Sequence, residues 1–132
     1  MDDLGAALAI EVERIADRLR GLSGARLAEP VPGHASRADA ARSTAQALAD
    51  AAACIEAGLV AGGDGAADTG QVAPVRHILP ALTQFAAGDQ VAVTGHDLIA
   101  ALGGAPGGSC TEDAGQLAAV ALEQLRTLRR LL

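Results

Sequence analysis

An all-α four-helix bundle is predicted by three features: four amphipathic segments repeating at three- and four-residue steps, abundant Ala, and a scarcity of the aromatic and β-branched residues that strands prefer. Four helices with one apolar face each must bury those faces against one another. The expected spans are about 3–22, 36–60, 80–103 and 110–131, within one domain covering the 132 residues.

The first helix is carried by Leu4, Leu8, Val12, Ile15, Leu19 and Leu22, one stripe at steps of four, four, three, four and three. Gly21, Ser23 and Gly24 end it. Leu27 to Gly33 is read as non-helical, because Pro30 and Pro32 restrict themselves and the residues before them. Ser36 is placed to cap the second helix, whose seam is Ala38, Ala41, Ala45, Leu48, Ala52, Ile55 and Leu59. Such small residues let a neighbouring helix approach closely.

Glycine and aspartate from about 61 to 73 interrupt the periodicity and read as a flexible connector. They fit neither a dinucleotide loop nor a calcium loop. Pro80 suits the first turn of the third helix, with Leu82, Phe85, Val93, Leu98 and Leu102 as its apolar contacts and a possible break near Gly88. Ser109 and Glu112 form a capping box for the last helix, with stripe Ala114, Leu117, Ala121, Leu125, Leu128 and Leu132.

The formal net charge is −6 and every basic residue is Arg. An acidic chain with one Phe lacks the basic, stacking face that nucleic acid requires. Arg126, Arg129 and Arg130 are assigned to the last turn of the final helix, where positive charge offsets unpaired carbonyls. No segment reaches the length of an apolar membrane span, and the amino terminus does not read as a secretory signal, so a cytoplasmic location is expected. Cys54 and Cys110 are expected as free thiols.

Two segments resemble a known family. One is Leu22 to Gly33, a helix end leading into a Pro-x-Pro-Gly turn, and the other is Val91-Ala92-Val93-Thr94-Gly95-His96-Asp97-Leu98-Ile99-Ala100-Ala101-Leu102. Together they are similar to DinB-like proteins, specifically the N-terminal domain group of mycothiol-dependent maleylpyruvate isomerases. The resemblance implies a four-helix bundle holding a divalent metal through a His on the second helix and a Glu-x-x-x-His pair on the third, with the metal activating a thiol. The matching positions here are Arg42, Gln90 and Thr94, none a good metal ligand. A permanent cation at Arg42 opposes a divalent metal directly.

The expectation is therefore a non-catalytic bundle without metal or cofactor that binds a partner or a small anionic ligand. The competing reading is a metal- and thiol-dependent isomerase or transferase using His96. Arg42, Gln90 and Thr94 either line a small polar pocket, where the Arg recruits a carboxylate, or form a satisfied buried network. His96 and Asp97 complete the candidate set. Adjacent helical residues point about 100° apart, which argues against a close acid–base dyad, and Asp97 is assigned to bracing local backbone or meeting Arg42. His34 and His77 are read as exposed. Cys110 at a helix start would gain thiolate character, but only His96 offers a base. A homodimer through Leu128, Leu131 and Leu132 would bury further apolar surface.

Overall fold

The computed structural model describes residues 2–64, 83–103 and 111–132. Five α-helices account for most of them: α1 (Asp2–Gly21), α2 (Gly24–Ala28), α3 (Arg37–Asp64), α4 (Ala87–Gly103) and α5 (Thr111–Leu131), with one 3-10 turn at Gln84–Ala86. The all-α class holds. Among the described residues the one trace of strand pairing is an isolated bridge from Val31 to His34. It closes the turn Val31-Pro32-Gly33-His34, where His34 N donates to Val31 O and Gly33 takes φ +83°, a left-handed value that suits glycine.

Four long helices surround the core and α2 is an addition. The prolines exclude helix only from Glu29 onward, so one turn forms before them, with the Ser23 hydroxyl accepting from Arg26 N at 3.2 Å. Ser36 caps α3 through Asp39 N at 3.0 Å, as its position predicts. Residues 61–64 of the expected connector at 61–73 are helical, since α3 continues to Asp64, and the rest of it lies outside the described residues. Glycine costs a helix only about 1 kcal/mol per residue, too little to stop one already propagating.

The α1 stripe is buried as expected, with Leu8, Val12, Ile15 and Leu19 at 2% exposure or less. In α3 the Ala seam is buried together with Leu48 and Ile55. The third predicted helix differs. It begins at Ala87, three residues after Gln84, and remains helical through Gly88. Its buried face is Ala87, Gly88, Val91, Thr94, Gly95, Leu98 and Ala101, while Phe85 and Val93 are 66% and 59% exposed. Small residues displace large ones there because α4 lies hard against α1. A Cβ on Gly95 would stand 2.5 Å from Val12 Cγ2, and one on Gly88 would stand 3.0 Å from the Ala16 carbonyl oxygen.

Long-range pairs give the topology. Arg20 meets Asp89 at 2.9 Å and His96 meets Glu13 at 3.0 Å, so α1 and α4 run antiparallel. Arg18 donates to Leu132 O and Arg37 to Leu131 O, which places the ends of α1 and α5 beside the start of α3. Gln84 donates to Gly24 O at that same end. Around the bundle the order is α1, α4, α3, α5; α4 packs against both α1 and α3, while α1 and α3 hardly touch.

Arg129 and Arg130 stand in the last turn of α5 as expected, with Arg126 one turn earlier. Arg129 lies 3.3 Å from Glu11, a carboxylate buried between α1 and α5, and Arg126 pairs with Glu123. The terminal carbonyls of α5 are taken by Arg18 and Arg37 from two other helices. Leu128 is 2% exposed and belongs to the core, and Leu131 and Leu132 are half-buried against it.

Candidate binding surface on α3

The polar residues of α4 are largely occupied by the fold. Thr94 is buried, and its hydroxyl donates to Gln90 O at 2.7 Å, with Val91 O at 3.4 Å, one turn back along its own helix. Gln90 is half-buried and also engaged within the protein. His96 is exposed on the α1–α4 seam, its Nε2 3.0 Å from Glu13 Oε2. Asp97 is exposed, and no hydrogen bond or ion pair of its carboxylate occurs among the described residues. His96 and Asp97 thus diverge, as the rotation between neighbouring helical residues dictates.

Arg42 lies on a different surface. It lines an open hollow of about 440 Å³ with His34, Asp39, Ser43, Gln46 and Asp50, and no residue of α4 is in the wall. Positions 39, 42/43, 46 and 50 share one face of α3 by helical spacing, and His34 reaches it from the Pro-Gly turn. His34 is half-buried, with Nδ1 3.7 Å from Asp39 Oδ2, and is less exposed than the sequence suggests. Gln46 Nε2 donates to Asp50 Oδ1 at 3.0 Å. Arg42 is itself engaged within the fold.

Beside this hollow runs an apolar groove of about 560 Å³ between α3 and α5. Ala40, Thr44 and Ala47 form its α3 side at steps of four and three, and Val120, Thr127 and Leu128 contribute from α5. Val120 is 57% exposed. His34, Ser43 and Ala47 line both depressions, so groove and hollow are continuous across α3. The sequence does contain the relevant signal, a second stripe of small residues at 40, 43/44 and 47 beside the buried Ala seam. Its meaning depends on where α5 lies.

The end of the groove is set by Arg37. Its Nε donates to Leu131 O at 2.8 Å, its Nη1 donates to Arg26 O at 3.1 Å, and the same nitrogen pairs with the Glu29 carboxylate. The Arg37 hydrogen bond is the main cause holding Glu29 below the ordinary carboxyl value of 4.5, with the charges of Arg37 and Arg26 adding to it and desolvation opposing. A lowered folded-state value means that this stabilisation is present above the unfolded value and is lost as pH falls through the folded one. Acid titration of stability below pH 4.5 is therefore expected to show a loss that Glu29→Gln removes, read by denaturant midpoints at matched ionic strength.

Among the described residues no three His, Cys, Asp or Glu side chains converge to hold a cation, and no helix is long and apolar enough to cross a membrane. Cys54 is a free, exposed thiol, whereas Cys110 and His77 lie outside the described residues. No protein-family model, curated protein or solved structure matches this chain.

Proposed function

We propose that this protein is a non-catalytic interaction module that seats an amphipathic helix of a partner protein in the α3–α5 groove. Arg42 receives an acidic side chain from that helix at the groove edge. The observation that carries this reading is the continuity of the two depressions through His34, Ser43 and Ala47. A helical ligand has the same two-sided character, with apolar residues at three- and four-residue steps and charges alongside. From Val120 to Leu131 the groove extends about 16 Å at 1.5 Å per residue, the length of three helical turns.

A small free anion fits less well, because Asp39 and Asp50 flank Arg42 in the hollow. A partner helix can set its own basic groups opposite those carboxylates. The DinB-like resemblance fits the same picture, since it supplies a bundle while Arg42, Gln90 and Thr94 withhold the ligands of the family's metal.

The test is selection of helical peptides from a display library on the intact protein. Enriched sequences are expected to carry apolar residues at i, i+3 or i+4, and i+7, with Asp or Glu beside them. Ala47→Arg should abolish their binding and Arg42→Ala should weaken it about tenfold, the usual scale for a charge-assisted contact. Enriched peptides that bind Ala47→Arg unchanged, or no enrichment at all, would sink the reading. Near-stoichiometric zinc in protein purified without chelator or metal-binding tag would favour the thiol-dependent isomerase or transferase instead.

A further inference from the structure

We infer that a proton on His34 controls how tightly the groove holds its partner helix, because the imidazolium offsets Asp39 beside Arg42 and so favours an acidic side chain of that helix; this rests on the interaction reading above. His34 stands where the two depressions meet and lines both. Its position is fixed by the turn that carries it. His34 N donates to Val31 O at 3.0 Å, Arg37 N donates to Glu29 O at 2.9 Å, and Ser36 caps the helix that follows. The side chain is half-buried, with Nδ1 3.7 Å from Asp39 Oδ2.

The charged groups around the imidazole come from both helices. On α3 they are Asp39, Arg42 and Asp50 in the hollow, and on α5 Glu123 in the groove, paired with Arg126 at 3.2 Å. Arg37, three residues along the chain, is turned to Leu131 O, Arg26 O and Glu29. With His34 neutral, the hollow therefore holds two carboxylates against one guanidinium, and an acid approaching Arg42 meets Asp39 one turn away on the same helix face. Imidazole is the one side chain that ordinarily changes charge between about pH 5 and pH 8. Among the described residues the other histidine, His96, lies away on the α1–α4 seam. A proton on His34 balances the charges of the hollow, and its pairing with Asp39 relieves the repulsion felt by the acid at Arg42. By linkage, the bound acid favours uptake of that proton to the same degree.

The probe is a labelled, histidine-free helical peptide from the selection described above. Its affinity for the intact chain is measured by fluorescence anisotropy at about pH 5.5 and about pH 8 at constant ionic strength, with circular dichroism to confirm that each variant is folded. The wild-type chain is expected to bind it roughly three- to fivefold more tightly at the lower pH, the scale of a partly exposed charge contact. His34→Gln should bind weakly at both values and His34→Arg tightly at both. Asp39→Asn should narrow the difference by raising the affinity at the higher pH, an effect that a role of His34 in shape alone does not produce.

Wild-type affinity that is equal or weaker at the lower pH, or a pH response that survives in His34→Gln, would overturn the proposal. In either case the groove reading stands as long as binding remains sensitive to Ala47→Arg. If no peptide is enriched, both fall.

Discussion

Gly95→Ala is expected to lower the stability of the fold by about 2 kcal/mol, although the same change in an exposed helix is stabilising by nearly 1 kcal/mol. The sign reverses because α4 meets α1 at this residue. The added methyl would stand 2.5 and 2.8 Å from the two Val12 methyls and 3.2 Å from Val12 Cβ. Rotating Val12 about χ1 exchanges its methyls without moving Cβ, and a side chain 1% exposed has nowhere to retreat. The helices must separate. Thermal melts should show a fall of roughly 6–10 °C for a chain of this size. Val12→Ala, costly by itself, should restore part of the loss in the double variant, giving a coupling of about 1 kcal/mol or more. A Gly95→Ala protein as stable as wild type would refute the close approach.

Arg37→Ala is expected to cost about 2–3 kcal/mol, on the scale of several charge-assisted hydrogen bonds lost together with a carbonyl left part-buried. The guanidinium joins the end of α2, the Glu29 carboxylate and the last turn of α5 to the start of α3, and its side chain is only 16% exposed. Arg37→Lys should recover little, since one ammonium cannot reproduce the planar fork that reaches three acceptors. Hydrogen exchange should show the loss concentrated in the last turns of α5. A uniform loss over all helices, with Arg37→Lys at wild-type stability, would mean that charge and not geometry matters.

The legible parts of the fold were those where size and burial agree. In α1, Leu, Val and Ile fall on one stripe, and that stripe is the core. Around α4 they agree only in part: Leu98 is buried as its spacing predicts, whereas Phe85 in the 3-10 turn and Val93 on α4 look like core residues but are exposed, and Gly88 and Gly95 make the contact. Where helices approach most closely, the smallest residue faces inward, and periodicity weighted by hydrophobicity passes over it. The short α2 was hidden by prolines that act only on the residues next to them.

The candidate surface was less legible still. Arg42 could be singled out from the sequence, but its neighbours in the hollow come from α3 and the Pro-Gly turn rather than from α4. Thr94 and His96 were prominent, yet one is bonded along its own helix and the other lies on the α1 seam. The acceptor of Arg37 on α5 is 94 residues away, and no local pattern encodes such a clamp. The groove exists only once α5 is set beside α3.

The circular order α1, α4, α3, α5 also governs how the chain can fold. Up to Asp64 it contains two long helices that hardly touch, each with an apolar stripe, and only the short α2 packs against one of them, α3. Among the described elements the first to join them is α4, which begins 23 residues after α3 ends. Among the described elements, α1 and α3 are therefore brought together only after α4 has been synthesised. For an all-helical protein this is a non-local way to fold, and until that moment the exposed stripes of α1 and α3 are open to other chains.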